Sequence, residues 1–353
     1  MVNETHLRTQ KNKIQKINVI CASVAKRQRR NFLFVCLILS SAVHAQLFVP
    51  VTDDPFGVPI KFSADSIRSH KIHSITSAYQ YKPDGHIIDD KGLREYFEFD
   101  KEGRLTYYWR TRVRGMETKP VEHGAVYRRG KKIKDGWTEY KYDYAYDTAF
   151  IYTFYDSLSR ISMRRYCEGM FYHTWYYTYN EQGFVVTQIH CRETNSGTSH
   201  RDFKLGVQTI ISREDFSYEI FSSTLMKQNC LNDEGKVYKE TMMTLDKQGR
   251  LIESREAYTA GGIRIVTTYA YDESGRLSSW SYTSNAGDQL AELTQYSYDS
   301  LGRIESVKRY KNTVLKDEFS YLYEGNAGMS YAYINRRHIE LGIDIIKMAV
   351  VYY

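Results

Sequence analysis

Proline is scarce in this sequence, with 5 in 353 residues, and three of them (Pro50, Pro55, Pro59) fall within residues 46–70. Helical periodicity is nearly absent: no stretch sustains apolar residues at i, i+3, i+4 and i+7. The apolar run Phe32–Leu39 is far short of the ~20 residues a bilayer-spanning helix needs. Of 5 cysteines, only Cys167, Cys191 and Cys230 lie beyond residue 45. An odd number excludes a complete intramolecular disulfide framework. Cys167 and Cys191 each follow a turn position by eight residues in adjacent repeats. That places them two strand spacings apart, roughly 9–10 Å, beyond the ~7 Å reach of a disulfide, so all three are expected to be unpaired. Catalytic signatures are missing as well. The chain has no G-x-S-x-G, no H-E-x-x-H, no G-x-x-x-x-G-K-[ST] and no C-x-x-C, so no nucleophile elbow, zinc site or phosphate loop is expected. No cofactor is predicted and the chain is not expected to be an enzyme.

The formal charge of +7 is also less than it looks. Residues 1–45 hold eight bases and one acid, which leaves 41 of the 49 bases and 41 of the 42 acids in residues 46–353. A neutral remainder disfavours nucleic acid as a partner. The basic N-terminus reads as an export signal. Lys26-Arg27-Gln28-Arg29-Arg30 is the charged region, Phe32–Leu39 the apolar core, and Val43-His44-Ala45 places small residues for cleavage before Gln46. Translation is expected to start near Val24, and the product to be periplasmic, outer-surface or secreted, with no transmembrane segment after cleavage.

Aromatic residues are plentiful, at 14% with 32 Tyr, and they recur in a pattern. Tyr269–Leu277 (YAYDESGRL), Tyr296–Ile304 (YSYDSLGRI), Phe97–Leu105 (FEFDKEGRL) and Tyr177–Val185 (YTYNEQGFV) align on one turn. Weaker copies are Thr153–Ile161, Asn229–Val237, Met243–Leu251 and Tyr79–Ile87. With the glycine at position zero (Gly85, Gly103, Gly183, Gly235, Gly249, Gly275, Gly302, with Ser159 once), position −3 is Asp100, Asp156, Asn180, Asn232, Asp246, Asp272 or Asp299, with Lys82 the exception. Position +2 is always a branched aliphatic, −4 is aromatic or Leu, and −6 is aromatic or Met in six of eight copies. Each column has a physical reason. Asp or Asn accepts a backbone N–H two residues on and opens a turn. Gly supplies the positive φ of a type I turn with a G1 bulge, so Ser159 marks the most strained hairpin. Positions −6 and −4 share a face, and a one-residue bulge brings +2 onto it, giving an aromatic–aliphatic cross-strand pair. Tyrosines in these two columns are assigned to the core.

The glycine-to-glycine steps are 18, 56, 24, 52, 14, 26 and 27 residues. The unit is about 24–28 residues, two strands and two turns. The long steps are read as each hiding a copy, and the 14-residue step as a local change of hairpin phase. The fold class is all-β: an array of antiparallel hairpins forming a long, twisted or curled meander over residues 71–325. Residues 46–70 are a Pro-containing leader or tether, and residues 326–353 are capping strands for an edge that would otherwise lie open.

Tyr271-Asp272-Glu273-Ser274-Gly275-Arg276-Leu277 and Tyr298-Asp299-Ser300-Leu301-Gly302-Arg303-Ile304 resemble the YD repeat of the RHS family, over roughly residues 75–325. Tyr127–Gly130 through Lys134–Trp137 is similar to a MORN-type hairpin. The resemblance implies antiparallel strips that spiral, in the largest members into a toxin-enclosing shell. Here the copies are too few to close a shell and no D-P-x-G self-cleavage motif occurs, so the toxin-carrier role is not expected.

The aspartates recur in every repeat, which argues for turn capping, since a catalytic group is normally unique. His70 and His73, three apart on a strand, point to opposite faces, as do His190 and Cys191. Candidate ligand contacts are Trp109, Trp137, Trp175 and Trp280, whose rings could stack on sugars. The function expected is a non-enzymatic extracytoplasmic structural or interaction module, with glycan binding through exposed Tyr and Trp as the alternative. The partner expected is a protein or a glycan.

Overall fold

The computed structural model describes residues 48–49, 58, 60–85, 87–286, 290–323, 332–338 and 342–353. The expected signal, residues 1–45, lies outside the described residues, as do residues 46–47, 50–57 and 59 of the leader. Two short strands, β1 (Phe48–Val49) and β2 (Lys61–Phe62), pair with each other and precede a six-residue helix, α1 (Ala64–Ser69). Ser63 caps that helix by accepting from the Ser66 N–H.

The rest is antiparallel sheet. Its strands are β3 (Ile72–Lys82), β4 (Asp89–Phe99), β5 (Leu105–His123), β8 (Trp137–Tyr155), β9 (Ile161–Glu168), β10 (Phe171–Tyr179), β11 (Val185–Asn195), β12 (Leu205–Ser222), β13 (Leu225–Leu231), β14 (Val237–Leu245), β15 (Leu251–Tyr258), β16 (Arg264–Tyr271), β17 (Leu277–Ser284), β18 (Leu290–Tyr298), β19 (Ile304–Lys311), β20 (Val314–Tyr323), β21 (Ala332–His338) and β22 (Gly342–Tyr352). Between β5 and β8 a separate hairpin, β6 (Val126–Arg128) with β7 (Lys131–Lys134), forms where the MORN-like segment was read. The all-β meander of hairpins is as the repeat implies. Each strand of the main sheet is hydrogen-bonded to two neighbours, and β22 pairs with β3 from Ile343–Lys82 to Tyr352–Ile72. The sheet therefore closes on itself. Copies too few for a shell are enough for a ring, and Gly342–Tyr352 lies between two strands rather than over an open end.

Successive turns alternate between two rims. Those of Gly103, Ser159, Gly183, Gly249, Gly275 and Gly302 share one rim, whereas Gly85 and Gly235 lie on the other. This is why Gly235 and Gly249 are only 14 residues apart: one strand, β14, separates them. The 56-residue step hides no copy; the 19-residue strands β5 and β8 and the β6–β7 hairpin fill it. The 52-residue step spans the tight turn at Ser223–Thr224, which lacks Asp and Gly.

At every motif but the first, where Tyr81 pairs with Asp89, the register shifts by one immediately before position −4. Tyr271 thus pairs with Leu277, Tyr298 with Ile304, Phe99 with Leu105 and Tyr155 with Ile161. Asp272 accepts from Arg276 N–H, Asp246 Oδ1 from both Gln248 N–H and Arg250 N–H, and Gly275 N–H bonds Asp272 O at 2.9 Å. Ser159 takes φ +62° where its counterparts are glycine, the conformation that costs a side chain energy.

A column the sequence reading left unexplained is Arg at +1. Arg276 Nε donates to Asp272 Oδ2 at 2.7 Å, and its guanidinium lies 4.3 Å over the ring of Tyr298, the −4 tyrosine of the next copy on that rim. Tyr298 in turn donates its hydroxyl to Leu277 O at 2.6 Å. The same linkage joins Arg104 to Tyr155, Arg160 to Tyr179, Arg250 to Tyr271 and Arg303 to Tyr323. Where Phe184 replaces Arg, its ring stacks on Tyr218, whose hydroxyl bonds Val185 O. Tyr218 thus plays the −4 part for the turn without a motif. Each contact gives about 0.5–1 kcal/mol at such half-exposed sites, and they repeat along one rim.

Apart from Leu231 and Asn229, which share the opposite face with Lys227, the −4 and −6 side chains lie on the face that carries the hydrophobic core, although most are half-buried rather than buried. That core gathers Ile75, Phe97, Tyr108, Ile151, Ile304 and Met348 with Val58, Ile60 and Ile67 of the N-terminal segment. Phe62 packs edge-on to Phe97 and Phe99. At Gly103 an added Cβ would stand 2.0 Å from the Ala64 carbonyl oxygen, so this glycine serves the close approach of α1 as well as the turn.

Candidate functional site

The four tryptophans lie on four strands. Trp109 is on β5, on the face away from the core, next along the strand from core Tyr108. Trp175 and Trp280 are on the core face of β10 and β17, and Trp137 begins β8. No two are register partners. Each has local cover. Trp137 is held between the His123 ring, stacked at 4.6 Å, and Lys134 Nζ, 3.5 Å from its centroid. Trp175 stacks flat on His190 at 4.3 Å, and Trp109 on Tyr96 at 6.1 Å. Trp280 is half-buried between Tyr269 and Thr294, with its indole N–H buried and unpartnered.

Two singular polar clusters were not picked out in the sequence. On the face away from the core, Glu193 is fully buried. One oxygen accepts from Arg165 Nε at 3.0 Å and Thr174 Oγ1 at 2.7 Å, the other from Tyr176 OH at 2.6 Å and Gln208 Nε2 at 2.8 Å. Burial works to raise this carboxyl, and the hydrogen bonds from Tyr176, Thr174 and Gln208 outweigh it, holding the group below the usual carboxylate range. The connection between β11 and β12, residues 196–204, folds onto this cluster. Phe203 covers the Arg165 guanidinium at 3.6 Å, His200 packs on Phe150 and bonds Tyr172 OH, and Arg201 pairs with Glu98 at 2.9 Å.

On the core face, Glu95 accepts from Tyr79 OH at 2.6 Å and Tyr108 OH at 2.8 Å. Burial pushes its carboxyl up, against the pull of both tyrosines. Arg110, its register partner on β5, adds a smaller electrostatic pull in the same direction as the tyrosines. Ser77, the register partner of Glu95 on β3, is fully buried with an unpartnered hydroxyl. No residue pattern announces either carboxylate, because alternation along a strand does not say which polar position will be roofed.

His190 and Cys191 do point apart: His190 Nε2 meets His173 Nδ1 across the strands at 3.0 Å, while Cys191 pairs in register with Thr174. Burial, with the nearby His173, lowers the His190 pKa. Cys167, Cys191 and Cys230 are free and buried, and burial pushes the Cys167 thiol up to about 11, far from a reactive thiolate. Among the described residues no group of three or more His, Cys, Asp or Glu is placed to hold a metal ion, and no helix is long and apolar enough to cross a membrane.

No protein-family model matches the chain, and no curated protein matches it. Among solved structures, a porin-like protein from Bacteroides uniformis aligns at 9% identity and TM-score 0.34, over 79% of this chain and 98% of that one. A second porin-like protein, from Bacteroides vulgatus, aligns at 10% identity and TM-score 0.25, over 59% and 94%. The TcdB2-TccC3-TEV structure aligns at 12% identity and TM-score 0.23, over 71% of this chain and 15% of that one. Likeness at these scores carries no argument about function.

Proposed function

We propose that this chain is a non-enzymatic, extracytoplasmic structural or interaction module. The observation that carries the reading is that the singular polar groups are spent on the fold. Glu193 satisfies four donors and anchors residues 196–204, and the turn aspartates are engaged with their own arginines. Such groups have no bond left for a substrate. The surface fits water on both faces of the regular arc. Away from the core lie the pairs Lys227–Glu240, Arg255–Glu253 and Lys308–Glu318, and on the core face Lys239 pairs with Glu256. A lipid-facing barrel would present a continuous apolar band instead. Trp109 and Trp175, half-buried and stacked on Tyr96 and His190, weigh against the glycan alternative.

The test is affinity purification of the tagged, exported chain from the envelope fraction of its host, in parallel with titration of the pure protein by soluble polysaccharides. The expected result is stoichiometric recovery of a protein partner and tryptophan fluorescence unmoved by glycans. Saturable quenching by a polysaccharide with no protein recovered would overturn the reading.

A further inference from the structure

The ring is closed, yet its longest strands still offer open edges beyond the reach of their neighbours, β12 among them. Of the 18 residues of β12, only Asp215–Ser222 pair with β13, while Leu205–Glu214 are held by β11 alone. Among the described residues nothing pairs with the other edge of Leu205–Glu214. Alternate residues there aim N–H and C=O groups outward with no partner strand. The stretch Leu205-Gly206-Val207-Gln208-Thr209-Ile210-Ile211-Ser212 has no charge and no proline, and it exposes Leu205 (50%), Val207 (69%), Ile210 (65%) and Ile211 (50%). Uncharged, β-prone and exposed is the composition proteins keep off free edges.

The same molecule guards another edge. Beyond Arg110, β5 pairs only with β8, and that stretch carries Arg112, Lys119, Glu122 and Pro120. Charges and a proline are the usual deterrents to strand addition. Their presence on one free edge and absence on the other separates a protected edge from one that is meant to be covered.

We propose that Leu205–Ser212 is an interaction edge for a second copy of this chain, the two strands adding antiparallel across a two-fold axis. An antiparallel edge paired with itself is isologous, so each copy uses its edge once and the assembly stops at two. With no charge in the eight residues, no like charges meet across the axis. Eight residues span roughly 26 Å of strand, and the unpaired N–H and C=O groups of both copies are satisfied together. The pairing gives the interaction module above its first partner. A monomer would overturn the pairing and leave the envelope-partner reading standing, whereas a dimer that recovers no envelope protein would do the reverse.

The experiment uses the mature exported chain. Sedimentation velocity over roughly 1–200 µM is combined with hydrogen exchange of the amides of residues 206–214. The expected result is a dimer in which these amides slow as concentration rises. Val207→Lys, which the two-fold places twice in one contact, should weaken association at least about tenfold. The proposal is overturned by a wild-type monomer throughout, by amides protected in the monomer, by open-ended oligomers, or by a dimer whose residues 206–214 exchange freely. If Val207→Lys does not fold, the concentration dependence of wild-type exchange decides alone.

Discussion

Two arcs of one ring are built on different terms. From β14 to β20 the strands are 8–10 residues long and the same parts recur: an Asp, an Arg and the next copy's Tyr. From β4 to β12 strands reach 19 residues, and the repeat is supplemented by Glu193 under residues 196–204 and Glu95 under the core. Where many equal contacts share the work, the loss of one is small. Where one carboxylate organises four strands and a loop, its loss is large.

The comparison can be broken most directly at Glu193. Replacing it with Ala leaves Arg165 buried and unpaired, and should cost about 3–5 kcal/mol in urea unfolding, with amides of residues 196–204 losing their protection in hydrogen exchange. An undiminished stability would mean the irregular arc has no keystone. Next comes Gly103→Ala, whose new Cβ meets the Ala64 backbone. Overpacking and the positive φ together should cost about 3 kcal/mol. Gly249→Ala carries a similar φ but has nothing within 4 Å of its Cβ, and should cost only about 1 kcal/mol. Equal costs for the two would remove α1 from the account.

Acidity separates the two carboxylates. Glu193 is lowered in the folded state. Its contribution is complete above the unfolded carboxylate pKa and is lost as pH falls through the folded one, so Glu193→Gln should flatten the acid limb of the stability curve. Glu95 is raised. It favours the folded state only below the unfolded pKa, and that advantage is lost as pH rises through its folded value. Glu95→Gln, which keeps one tyrosine acceptor and offers its amide N–H to the other tyrosine oxygen, should therefore be closest to wild type in acid and gain relative stability towards neutral pH. Unfolding curves at several pH values read both. The smallest effect belongs to the regular rim: Arg276→Ala, which removes one contact of many, should cost about 0.5–1 kcal/mol. A loss several times larger would show that the ladder acts cooperatively.

What could be read beforehand followed locality. The pairing of −4 with +2, the bulge, the positive φ at Ser159 and the phase change at Gly235 are decided within about a dozen residues, where side-chain period and turn chemistry act. The Arg column stood in plain view at Arg104, Arg160, Arg250, Arg276 and Arg303, but its partner is the tyrosine roughly 20–50 residues on, so spacing within one copy could not expose it. The hidden copy expected between Gly103 and Ser159 failed because a lengthened hairpin and a lost repeat leave the same gap in the count. Closure through β3 and β22 was out of reach, since it depends on how much each strand turns the sheet rather than on either strand's own residues. Glu95 and Glu193 look like any other polar position on an alternating strand until tyrosines of the neighbouring strands, or a loop, close over them.

The seam between Ile72–Lys82 and Gly342–Tyr352 joins segments some 260 residues apart. Tyr353 fastens it further, its N–H to Lys71 O and its hydroxyl to Phe99 O. Local hairpins can form as the chain emerges, but this contact pays a long loop-closure entropy and comes late. Until then both strands wait with one side unsatisfied, and a chaperone that shields the earlier of the two would raise the yield of native molecules more than one acting on any hairpin between them.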